Sequence, residues 1–210
     1  MNISKKLSLS LLGLLSTGWL VPGGIVACAQ EAATRPVAEK NLWMVYQPYA
    51  GNPLRDAITA GSLTFGTETR AAELEIECRA PQLARMNLRF PAENLKFNLD
   101  PFEGPPGIGQ KRKLLSIKLA GYTAVAHTFN GFYVESNVFV LAVAPSRSEM
   151  RRIASTNAAK TLLRVQVSAA DDKGEPLIFH FTLPADNALA REVIRPCNAS
   201  PAKDREPDPR

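Results

Sequence analysis

The chain has 210 residues, 45% of them hydrophobic, and a formal net charge of +5. Two of those charges, Lys5 and Lys6, open an N-terminal leader; without it, 23 basic residues face 20 acidic ones. A surplus of three predicts no nucleic-acid partner, and the length suits one domain with a core of its own.

After Lys5 and Lys6, the run Leu7 to Leu20 is apolar and too short for a permanent membrane span. Pro22, Gly23 and Gly24 break it, and small residues follow up to Ala29. This is the layout of a secretory signal peptide over residues 1–29. Two cleavage readings share the site. Ala27-Cys28-Ala29 is an A-x-A motif that yields a soluble chain from Gln30, while Ile25-Val26-Ala27-Cys28 has the form of a lipobox with Cys28 as the acylated residue. The Pro-Gly-Gly break favours the first, and isoleucine at the head of the box weakens the second. A membrane partner is expected only if Cys28 is lipidated. No later apolar run is long enough to span.

Residues 30–40 read as a flexible lead-in, 41–197 as a single β-rich domain, and 198–210, with three prolines among cancelling charges, as a disordered tail. Strands are expected at Leu42 to Gln47, Ser62 to Gly66, Ala72 to Arg79 and Met86 to Phe90, with a short piece at Lys96 to Leu99. The segment from Asp100 to Gly109 is the most turn-rich in the chain and ends in Gln110-Lys111-Arg112-Lys113. Further strands are expected at Leu114 to Ala120, Thr123 to Thr128 and Phe132 to Val134. Val138 to Val143 is nearly all apolar and suits a strand buried on both faces. Ser146-Arg147-Ser148-Glu149 has the S-x-x-E form of a capping box and opens a helix. Leu162 to Ala169 and Leu177 to Leu183 form a hairpin, and a last helix starts near Pro184. About ten short strands and two late helices predict a mainly β fold: an antiparallel sandwich or flattened barrel.

With Cys28 removed or acylated, Cys78 and Cys197 remain as a pair. In an oxidising compartment they are expected to form a disulfide. Alternation puts Cys78 on the inner face of its strand with Leu74 and Ile76, and Leu189, Val193 and Cys197 recur at a spacing of four on the last helix. Closing the 119-residue loop between them is worth roughly 4–5 kcal/mol in the chain-entropy model. The rival is a pair of buried free thiols or a metal site. Metal binding needs more ligands, and His127 and His180 show no ligand spacing; no metal and no cofactor is expected.

No catalytic residue is assigned. His127 and His180 lie on the polar alternates of strands, with no Ser, Cys or carboxylate in a recognised order, and no G-x-S-x-G, H-E-x-x-H or P-loop occurs. Glu73, Glu75 and Glu77 form a carboxylate row that reads first as a solvated face and second as a cation or basic-partner site. Arg147, Arg151 and Arg152, with Lys111, Arg112 and Lys113, read as solvated faces or as contacts for lipid headgroups, anionic glycan or an acidic partner. The glycine-rich loop is the best interaction candidate, with Phe102 and Ile108 as apolar contacts and Lys111, Arg112 and Lys113 beside them.

The leader, Trp43 on a first strand, Leu74-x-Ile76-x-Cys78, and Phe181-x-Leu183 followed by a helix and Cys197 together resemble small exported bacterial envelope proteins of the type VI secretion-associated periplasmic kind. The resemblance covers the outer thirds of the mature chain. It implies a fold and a compartment and carries over no functional residue. The expected function is a non-enzymatic binding or accessory module with a protein partner in the envelope, periplasmic, secreted or anchored to the outer membrane. The alternatives are an inhibitor or immunity-type protein that plugs an exported hydrolase with its Gly/Pro loop, and a cell-wall hydrolase using His127 or His180 with carboxylates that converge only in three dimensions.

Overall fold

A computed structural model describes residues 35–49, 51, 53–79, 83–134, 137–171 and 173–198. The expected signal peptide (residues 1–29) with Cys28, and residues 199–210 of the expected tail, lie outside them.

The described residues form ten antiparallel strands in one sheet. In chain order they are β1 (Met44–Tyr46), β2 (Asp56–Phe65), β3 (Glu68–Glu77), β4 (Arg85–Pro91), β5 (Leu115–Leu119), β6 (Val125–His127), β7 (Phe129–Val134), β8 (Val138–Val143), β9 (Leu162–Val167) and β10 (Leu177–Thr182). Three helices accompany them: α1 (Ile108–Lys111), α2 (Arg147–Ile153) and α3 (Ala188–Asn198). The short α1 adds to the two late helices expected from the sequence. Its register, Ile108 and Gln110 among glycines, carries no helical periodicity to read.

Neighbouring strands run β6-β5-β9-β10-β2-β3-β4-β8-β7, with β1 as a third partner of β2. The two ends of this path, β6 and β7, are separated in the chain by Thr128 alone. One continuous stretch therefore pairs first with β5 (Leu115 opposite His127) and then with β8 (Phe129 opposite Val143). That stretch is the seam that curls the sheet into a nearly closed barrel.

β2 starts at Asp56, six residues before the expected Ser62. Alanines and a glycine at 57, 60 and 61 hide it from a propensity reading, but unbroken pairing with β3 from Asp56–Glu77 to Phe65–Glu68 overrides propensity. β8 lies between β4 and β7, and its centre is buried on both faces, as its apolar run requires.

Inward-facing side chains fill the barrel. Phe90, Phe102, Phe129, Phe139, Phe179 and Phe181 are fully buried. Phe102 stacks between Phe97 and Phe129, with ring centroids 5.6 and 5.5 Å away, and Phe90 meets Phe179 edge-on at 5.3 Å. The connection from β4 to β5, which contains α1, covers one end. Helices α2 and α3, which follow β8 and β10, pack on each other at the other end.

Cys78, just past β3, is bonded to Cys197 of α3, with Cα atoms 5.8 Å apart. Val193 and Cys197 are buried, but Leu189 is exposed. Two steps of four residues rotate about 80° around a helix, enough to turn its first member off the stripe. Pro196 sits inside the last turn of α3, which ends two residues later at Asn198. A second tie lies nearby: the Trp43 indole donates to Asn187 Oδ1 at 2.6 Å, and Asn187 Nδ2 donates to the Ser155 carbonyl at 2.8 Å. The described part of the lead-in is not free. Ala60 N–H donates to the Glu39 carbonyl and Arg35 reaches β3, so 35–40 lies against the barrel wall.

Candidate functional site

Alternation sends Glu73, Glu75 and Glu77 to the outer face of β3, as expected, but their environment corrects the reading of a solvated row. Glu75 and Glu77 are only 5% and 8% exposed. Tyr46 Oη donates to Glu75 at 2.7 Å, Arg35 bonds Glu73, and Arg89 lies 3.9 Å from Glu73 and 4.0 Å from Glu75. Arg79 bonds Glu77 at 2.8 Å, with Arg85 3.9 Å away. Asp56, opposite Glu77 in the β2–β3 register, is 2% exposed and 3.9 Å from Arg79. Burial first, and then the charge of Glu75, pushes the Asp56 carboxyl up to about 7. Burial and the same Glu75 raise the Tyr46 hydroxyl. Four carboxyl groups and four arginines thus form a lattice that stitches 35–40 and β1 to β4 together. Among the described residues no group of His, Cys, Asp or Glu is arranged to hold a metal ion.

His127 lies at the barrel seam, and its Nε2 bonds Glu149 Oε1 at 2.9 Å. Glu149 is also the capping residue of α2: its Oε2 accepts from the Ser146 N–H at 2.9 Å and from Ser146 Oγ at 2.7 Å, while its own N–H donates back to Ser146 Oγ. Burial raises the Glu149 carboxyl, but the Ser146 and His127 contacts outweigh it and hold the group below its ordinary value. No carboxylate lies beside His127 in the chain; the hydrolase alternative needs one that meets it in three dimensions, and the fold brings Glu149 from 22 residues away. The order is wrong for hydroxyl activation, because Ser146 sits on the carboxylate and not on the imidazole. The dyad joins the seam to α2. His180 faces Ser62 and Arg164 across its two neighbouring strands. Burial, then Arg164, lowers its pKa.

The glycine-rich segment is not a free loop. Phe102 is 1% exposed inside the barrel and Ile108 packs against the core, so neither is offered to a partner. Gly104 N–H donates to the Gly131 carbonyl at 2.8 Å, and Glu103 bridges to Gly131, covering the outer edge of β7. The glycines permit this approach: a Cβ on Gly109 would stand 2.8 Å from the Phe129 carbonyl oxygen, and one on Gly131 2.8 Å from that of Phe102. Arg112 donates to the Ala170 carbonyl, and Lys111 and Lys113 are exposed.

At the opposite end, Arg151 of α2 meets Arg191 and Arg195 of α3. With Ile194 and Asn198 they line a cleft of about 420 Å³. Only Arg151 of this set stands out in the sequence; the other two arginines lie some 40 residues further on and converge only through helix packing. Arg152 turns away and lies 5.2 Å above the Tyr122 ring.

Fold and site together define a disulfide-stapled, nearly closed antiparallel β-barrel with an arginine-lined cleft between two helices. No family model matches the chain, no curated protein matches it, and no solved structure matches it.

Proposed function

We propose that this chain is an exported envelope protein and a non-enzymatic binding module, an accessory of a secretion or envelope complex with a protein partner. The observation that carries this reading is the solid barrel. With six fully buried phenylalanines inside and an end covered by the β4–β5 connection, what the molecule offers is its outer surface. A disulfide inside the core suits an oxidising compartment. His127, the best-placed base, is already engaged with the cap of α2.

The surface that best fits a protein partner lies around the β5–β6 hairpin. Tyr122, Val125 and Leu162 are exposed there, and Arg152 stacks on Tyr122. Tyrosine and arginine are the residue types that dominate binding energy at protein interfaces. The tagged full chain, recovered from envelope extracts, is expected to retain one stoichiometric partner that the Tyr122→Ser, Val125→Ser double variant loses at unchanged melting temperature. A chain that captures nothing under several extraction conditions, or a variant that keeps the partner, refutes the reading. Mass spectrometry of the mature N-terminus separates a soluble chain starting at Gln30 from one acylated at Cys28.

A further inference from the structure

We infer that the cleft between α2 and α3 is a binding site for a phosphate group, carried by a small ligand or by a lipid headgroup. Arg151, Arg191 and Arg195 line one concavity of about 420 Å³. None of the three has a carboxylate within 4.0 Å among the described residues. Arg35, Arg55, Arg70, Arg79, Arg85 and Arg89 each have a carboxylate partner; Arg147, Arg152 and Arg164 lack one too among the described residues, but only Arg151, Arg191 and Arg195 share a single concavity.

Among the described residues, the glutamates of the two helices are committed elsewhere. Glu149 serves His127 and Ser146, and Glu192 bonds Arg55 at 2.9 Å. Helices α2 and α3 hold five arginines against two glutamates, a local excess of three. That equals the whole surplus of the chain once Lys5 and Lys6 are set aside. Like charges gathered in one concavity repel, and an oxyanion relieves this.

The helix C-termini themselves favour cations nearby, which accounts for single arginines in a last turn. It does not account for arginines from two helices lining one cleft, where Arg151 Nε donates to the Arg147 carbonyl and Arg191 to the Ala154 carbonyl, each at 3.4 Å, and their remaining N–H groups are left for a ligand. Planar guanidinium forks suit a tetrahedral oxyanion with several acceptor oxygens. Ile194 and the arginine stems give the cleft an apolar lining, which suits a ligand whose charge sits beside hydrocarbon. The disulfide at Cys197 holds this end of α3 to the sheet and so fixes the backbone that carries Arg191 and Arg195.

The test compares the full chain with an Arg151→Gln, Arg195→Gln double variant. Lys118→Gln, Lys173→Gln, which removes the same charge from exposed positions elsewhere, is the control. Inorganic phosphate is titrated against chloride at matched ionic strength, following the melting temperature. In parallel, sedimentation with phosphatidylglycerol vesicles is compared with phosphatidylcholine. Wild type and control are expected to respond, and the arginine variant to lose about tenfold or more in affinity. A response to phosphate in solution assigns a free ligand, and a response to phosphatidylglycerol vesicles alone assigns the headgroup. Equal behaviour of wild type and arginine variant in both arms, or equal losses in variant and control, overturns the site.

Discussion

Asp56 shows how one buried carboxylate sets a pH response. Its value rises from 3.8 in an unfolded chain to about 7 in the barrel. A raised folded-state value contributes stability that is complete below the unfolded pKa and is lost as pH climbs through the folded one. The barrel is therefore expected to lose this contribution between about pH 4 and pH 7, and Asp56→Asn to exceed wild type in stability at about pH 8 while matching it near pH 4. Urea midpoints at both pH values check this, and a difference that fails to widen with pH refutes it. Glu149 behaves in the opposite sense. Its folded value is depressed, so its contribution is present above the unfolded pKa and lost as pH falls through the folded one. Glu149→Gln is expected to cost about 1–2 kcal/mol at neutral pH and little in acid, read from denaturation midpoints. The helix cap was legible in Ser146-Arg147-Ser148-Glu149, because capping depends on neighbours in sequence. The partnership with His127 was not, since it depends on how the seam lies against α2.

The glycine-rich segment carries the main lesson at the scale of elements. Its composition reads as mobility, yet the same glycines serve close packing against Phe102, Phe129 and Gly131. Sequence distinguishes a turn-former from a helix-former; it does not say whether a missing Cβ is used for freedom or for contact. Phe102→Ala is expected to destabilise the barrel by about 3–5 kcal/mol, as for other large-to-small changes in cores. Removing 104–109 is expected to lower the melting temperature sharply, whereas a free recognition loop would tolerate the cut. Differential scanning fluorimetry on the two variants decides between plug and loop. The glutamate row teaches a related point. Period-2 alternation placed Glu73, Glu75 and Glu77 on one face. Their burial comes from Arg35, Tyr46 and Arg89, which reach them from the lead-in, β1 and β4, and no local pattern announces that meeting.

For the whole molecule, the mainly β class, the Cys78–Cys197 link and most strand positions could be read from alternation and cysteine arithmetic. Strand order could not, because it rests on pairings such as β10 with β2 that join distant stretches of chain. Reducing the disulfide, or Cys197→Ser, is expected to cost about 4–5 kcal/mol by freeing a long loop in the unfolded ensemble. Equilibrium unfolding with and without reductant measures it. The place of β10, wedged between β2 and β9, also sets a timetable. A nascent polypeptide that emerges amino-end first completes its early hairpins while the slot for β10 stands empty. The edges of β2 and β5 wait for β9 and β10 to fill the gap between them, and Cys78 waits for a mate 119 positions downstream. Closure of the barrel thus waits on its last two strands, and any holding factor that guards those edges must act before the final third of this sequence arrives.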